Sequence, residues 1–253
     1  MNIDRMKLDV LYEDNHLLVV NKPSGLSTMG DAGRPTLHGL AADYLKRKYS
    51  KPHGVYVGIV SRLDAMTSGV IVLARTSKAA ARLNIQFATK AKIAGDPHAN
   101  VSQATTDTLR KSYLCIVRPE PNLMVGRPSL SVSGHLQDYL YKDDAAHRMR
   151  ACEHPRPDAK ASELQFEIIE HRGEDLLMTV VPLTGRKHQI RVQFASRGYP
   201  ILGDRKYGSS ATWAEGIALH SHRLTIQHPT RHESMTFTCP PPDSWNVCFE
   251  NTP

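Results

Sequence analysis

Arg62, Leu63 and Asp64 place a carboxylate two residues from a guanidinium, in a polar insert that runs on through Ala65-Met66-Thr67-Ser68-Gly69. An acid held ionised on a connection over a rigid scaffold is one way an enzyme presents a nucleophile or a stabiliser of positive charge. An Arg-x-Asp pair is more often a solvated ion pair or a turn device, since Asp favours turns. These eight residues alone do not separate the two readings. Their flanks say what the insert must be. Val55-Tyr56-Val57-Gly58-Ile59-Val60 precedes it and Val70-Ile71-Val72-Leu73-Ala74 follows it. Both runs are short, apolar and β-branched, the pattern of buried strands. The insert is then a connection at the edge of a packed sheet, with Gly69 freeing the backbone at its end.

The rest of the chain supplies the scaffold. Leu8 to Lys22 reads as a hairpin turning at Asp14-Asn15 and closed by Lys22-Pro23-Ser24-Gly25. The spacing of Leu37, Leu40, Ala41, Tyr44 and Leu45 predicts a helix from about Thr36 to Tyr49, with Lys46, Arg47 and Lys48 suiting its C-terminal dipole. A second helix is expected from a Ser77 cap to about Lys90, with Ala80, Leu83 and Phe87 on one face. Residues 91–108, with Gly95, Pro97 and few apolar side chains, read as a loop. A strand over Lys111–Val117 follows, then a turn-rich link over Pro119–Pro128 and a mixed stretch over His135–Arg150 that fits no element. His154–Lys160 reads as a basic loop. Strands are expected over Ser162–Glu170 and Asp175–Pro182, a helix over His188–Ser196 stopped at Gly198, and strands near Ile217–His228 and Ser234–Cys239. Many strands interrupted irregularly by three helices argue α+β rather than repeated βαβ units.

Four segments in order carry a resemblance. They are Leu11 to Gly25, ending Asn21-Lys22-Pro23-Ser24-Gly25; the Arg62-Leu63-Asp64 insert; Leu183-Thr184-Gly185-Arg186-Lys187-His188-Gln189-Ile190-Arg191-Val192 with Gly198 to Gly208; and Leu219-His220-Ser221-His222-Arg223-Leu224 with His228-Pro229. Together they resemble the RluA-type RNA pseudouridine synthases, from about Leu8 to about Pro242. The resemblance implies a mixed, largely antiparallel central sheet with flanking helices and an active-site cleft across it. It implies isomerisation of uridine to pseudouridine in structured RNA, ribosomal or transfer, without a cofactor. Asp64 would be the catalytic acid, Arg191 its paired cation and Tyr113 the active-site tyrosine that stacks on uracil and takes the C5 proton. Arg62 would fill the gap left by a flipped base. Arg186, Lys22, His188 and Lys111 would contact substrate or RNA. The chain departs from the family at Ser61, where a histidine is usual, and at 91–108, which reads as an insertion.

Composition bounds the alternatives. Of 253 residues, 40% are hydrophobic, enough for a real core in one large domain or two small ones; the resemblance implies one catalytic domain over 1–253. The chain starts almost at its first strand, so no N-terminal S4-like RNA-binding domain is expected. A formal charge of +7 suits a polyanionic partner. Cys115, Cys152, Cys239 and Cys248 lack CxxC spacing, so neither a metal site nor a disulfide framework is expected. No apolar run is long enough for a membrane span, and Met1 to Lys7 has no signal core. The expectation is a cytoplasmic monomer without metal. An RNA-folding chaperone of the same fold, its catalysis incidental, is the alternative; a hydrolase built on Asp64 would lack a paired general base.

Overall fold

The computed structural model describes residues 7–30, 33–93, 109–124 and 129–245. Its eleven strands form one sheet, in the order β1 (Asp9–Glu13), β2 (Leu17–Lys22), β4 (Ser68–Ala74), β10 (Leu219–Gln227), β5 (Arg110–Val117), β9 (Asp175–Pro182), β8 (Lys160–Arg172), β6 (Ser133–Asp143) and β7 (Arg148–Cys152). β3 (Gly58–Ile59) adds to β4, and β11 (Ser234–Thr238) adds to β10. All these pairings are antiparallel except one. β4 and β10 run parallel, and only through His220 opposite Ser68 and Ser221 opposite Gly69.

The first half of the sheet is covered on both faces. Leu18, Val20, Ile71 and Leu73 pack with Leu37, Ala41 and Leu45 of α1 (Leu37–Lys48). Leu17, Val19, Val70 and Val72 pack with Ala79, Ala80 and Leu83 of α2 (Ser77–Ile93) on the other side. Double burial is why Leu17–Val20 of β2 and Val70–Ala74 of β4 are continuous apolar runs. In the second half, Cys115, Leu164, Phe166, Met178 and Val180 cover Ile190 and Phe194 of a later helix, Gln189–Ala195, after the single turn Pro121–Met124. These short helices are α3 (Pro121–Met124) and α4 (Gln189–Ala195).

Caps fix two helix starts. Thr36 Oγ1 accepts the Gly39 amide of α1 at 3.1 Å. In α2 the cap is Thr76, whose Oγ1 accepts the Ala79 amide at 3.1 Å, one residue before the expected Ser77. The run Val55–Val60 yields only the two-residue β3. The stretch without a sequence pattern, His135–Arg150, folds as the β6–β7 hairpin. Leu136 and Leu140 point inward there, but so does Asp138, which is buried against Gln193 and Arg197. A buried acid at an inward position erases the apolar alternation that marks a strand. The 91–108 segment begins inside α2, and 94–108 lie outside the described residues.

Candidate active site

A cleft of about 630 Å³ opens where the two halves of the sheet meet at β4, β10 and β5. Ser27–Met29, Val60–Ala65, Thr67, Tyr113 and the stretch from Pro182 to Arg191 line it. The Asp64 loop leads directly into β4. That strand crosses β10 so closely at Gly69 that an added Cβ would lie 2.3 Å from the Ser221 carbonyl oxygen. Gly69 also has φ +107°, a backbone that side chains rarely adopt.

The loop after β2 holds the acid in place by its neighbours' main chain. Thr28 Oγ1 donates to the Leu63 carbonyl at 2.9 Å, the Gly25 amide to Ala65 at 2.9 Å, and Ser24 Oγ to Met66 at 2.8 Å. Lys22 adds a further bond to the Ala65 carbonyl at 3.0 Å and donates also to Pro23 at 2.9 Å and Leu26 at 2.7 Å. Carbonyls on both sides of Asp64 are therefore tied down, and the Thr67 amide closes the turn onto the Asp64 carbonyl at 3.1 Å. Lys22 corrects its expected role. Its side chain is wholly buried, and three main-chain oxygens take its three N–H groups, so it cannot reach an RNA phosphate. Burial pushes its ammonium down to about 7, with the charge of Asp64 opposing the shift.

Asp64 is a quarter exposed, at 26%, and its Oδ2 accepts from Arg191 Nη1 at 3.1 Å. Oδ1 has no hydrogen-bond donor among the described residues. Arg191 reaches across from α4, where it is buried, and forks onto a second acid. Its Nε and Nη2 donate to Asp204 at 2.6 Å and 2.9 Å. Asp204 is 1% exposed, in the turn after the Val117–Ile201 bridge. The guanidinium also lies 5.0 Å from the ring centroid of Tyr207.

His188 starts α4 in a left-handed conformation, φ 55°. That turns its ring between Tyr207, whose hydroxyl lies 2.7 Å from Nδ1, and Asp64, whose Oδ2 lies 3.8 Å from Nε2. Burial lowers its pKa to about 4 despite Asp64, so the ring is neutral at pH 7. Tyr113 lies on β5 in the same cleft, 8% exposed. Burial and the charge of Asp64 push its phenol up to about 12, with the nearby Ser221 side chain opposing the shift. At neutral pH it carries its proton.

Of the remaining expected contacts, Arg62 is exposed at the cleft and Lys111 lines it with Nζ 4.5 Å from the Phe87 ring centroid. Arg186 lines it half-buried, Nε bonded to the Ala161 carbonyl at 2.8 Å. With Lys187 and Arg191, these give five permanent cations against the single acid Asp64 among the lining residues. Such a surface concentrates polyanions. Sequence reasoning missed Asp204 and Tyr207. Both stand in Gly203-Asp204-Arg205-Lys206-Tyr207-Gly208, where an acid one glycine beyond the apolar Tyr199-Pro200-Ile201-Leu202 was the available signal. Among the described residues no cluster fit to hold a metal ion occurs, and no helix is long and apolar enough to cross a membrane.

The family model for RNA pseudouridylate synthase matches residues 16–196, a span that contains the Asp64 loop, Tyr113 and Arg191. The chain belongs to this family and isomerises uridine to pseudouridine in RNA. It is 33% identical over 237 residues to a dual-specificity RNA pseudouridine synthase RluA of Escherichia coli O6:H1, covering 92% of this chain and 93% of that one. A ribosomal large subunit pseudouridine synthase C of Buchnera aphidicola is 27% identical over 242 residues, covering 91% of this chain and 66% of that one. In structure it is similar to human RNA pseudouridylate synthase domain containing 4, with a TM-score of 0.69 at 21% identity over 94% of this chain and 90% of the other. The fold is thus the mixed α+β sheet expected, and the isomerase is favoured over the chaperone alternative.

Proposed function

We propose that Asp64 carries the isomerisation in this cleft, on uridines flipped out of ribosomal or transfer RNA stem-loops. The observation that carries the reading is its pairing. Arg191 donates to Oδ2 at 3.1 Å, while Oδ1 has no hydrogen-bond donor among the described residues. The reaction breaks the N1–C1′ bond and forms C5–C1′, so the base must detach and turn without escaping. An ionised carboxylate serves as nucleophile or charge stabiliser during that step. The buried ring of Tyr113 offers uracil a stacking surface. The hydroxyl carries its proton at neutral pH, so taking the C5 proton requires it first to give that proton up. Arg62, exposed beside Asp64, suits the space a flipped base leaves. Lys111, Arg186 and Lys187 suit phosphates or the nucleotide, and neutral His188 suits a hydrogen bond rather than a phosphate.

Two relatives' names, one ribosomal and one dual-specificity, support more than one RNA as substrate. The match to a relative over 92% of this chain and 93% of that one supports a single catalytic domain. Unpaired thiols at Cys115, Cys152 and Cys239 support a reducing compartment, the cytoplasm. Mapping pseudouridine by chemical labelling in RNA from cells with and without the protein tests the reading. Loss of specific stem-loop sites in ribosomal or transfer RNA is expected; an unchanged map in both RNAs would overturn the choice of substrate.

A further inference from the structure

Arginine and carboxylate prefer to meet fork to fork, with two parallel N–H···O bonds. Asp64 and Arg191 do not meet that way. The Nε–Nη2 edge of Arg191 is taken by Asp204, and Nη1 alone is left for Asp64. We infer that Asp204 is a positioning residue that restrains Arg191 to one oxygen of Asp64 and so keeps Oδ1 free to react.

Three features support this. The Asp204 carboxylate is fully enclosed and spends both oxygens on the one guanidinium. The ring of Tyr207 lies against Arg191, which limits rotation of the fork. The turn that carries Asp204 is fixed by its own main chain, the Tyr207 amide donating to the Asp204 carbonyl at 3.0 Å and the Ser209 amide at 3.2 Å. Two carboxylates thus share one cation. Without Asp204, Arg191 would be free to turn its fork onto Asp64, capping both oxygens and directing its whole charge there.

The inference rests on Asp64 as the reacting acid, and Asp204→Asn tests it separately. In the folded variant the single-turnover rate should fall about 10- to 100-fold, as for a misplaced reacting group. RNA affinity should stay the same. A merely structural role would lower the active fraction and leave the rate per folded, RNA-bound molecule at the wild-type value, and that result would overturn the inference. If Asp204→Asn does not fold, Arg191→Lys gives the second measurement. Lysine has no fork to restrain, so adding Asp204→Glu to it should cost no more rate than it costs stability, whereas Asp204→Glu alone should slow the reaction with RNA affinity intact. Equal slowing in both backgrounds would overturn it. If Asp64→Asn itself retains the wild-type rate, the assignment of Asp64 fails instead.

Discussion

Arg191→Leu should destabilise the protein through Asp204 rather than through Asp64. Asp64 is 26% exposed and can be hydrated, whereas Asp204 is 1% exposed and has Arg191 as its ion-pair partner. Removing one member of a buried pair strands the other, a loss of about 3–5 kcal/mol. In a chain of this size 1 kcal/mol moves the melting temperature by about 2–4 °C, so Tm should fall by roughly 6–20 °C. Removing both charges is close to neutral for buried pairs, so Arg191→Leu with Asp204→Leu should recover most of that fall. Thermal melts of wild type, single and double variants provide the assay. A single variant melting within 2 °C of wild type, or a double variant no better than the single, would refute the reasoning.

Tyr113→Phe keeps the ring but not the hydroxyl, so single-turnover rate should fall by about 10²-fold or more while RNA affinity holds; equal rates would remove the hydroxyl from the chemistry. Gly69→Ala adds a methyl group that would lie 2.3 Å from the Ser221 carbonyl oxygen and forces a strained φ. It should cost at least about 1–3 kcal/mol in denaturant melts, and a neutral effect would mean that β4 and β10 can separate freely. Lys22→Met withdraws the ammonium from the Ala65 carbonyl, so catalytic rate and Tm should drop together with little change in the salt dependence of RNA binding. A reduced salt slope would show that Lys22 meets phosphate after all.

What was legible in the sequence was what a local pattern encodes. α1 has a Thr36 cap and a one-sided apolar stripe, and Leu17–Val20 of β2 and Val70–Ala74 of β4 are unbroken apolar runs because helices cover both faces. The β6–β7 hairpin was not legible, because Asp138 occupies an inward position and its partners Gln193 and Arg197 are distant in the chain. The site divides along the same line. Asp64 is marked by its place between two strands, but nothing local ties it to Arg191, 127 residues away, and only the family resemblance brought them together. Lys22 reads as one more cation of a basic chain until its burial is seen. Asp204 has the same difficulty in reverse, since an acid directly after Gly203 reads as a turn residue, and its partner lies on another element.

The most direct measurement is pseudouridine formation by Asp64→Asn under single-turnover conditions on the mapped RNA, with binding of the same RNA measured alongside. Asparagine keeps the shape of the side chain and loses its charge and nucleophilicity. Wild-type-like RNA affinity with turnover reduced by many orders of magnitude is the expected result. Pseudouridine formed by Asp64→Asn at a rate close to wild type would contradict the assignment of Asp64 to the chemistry.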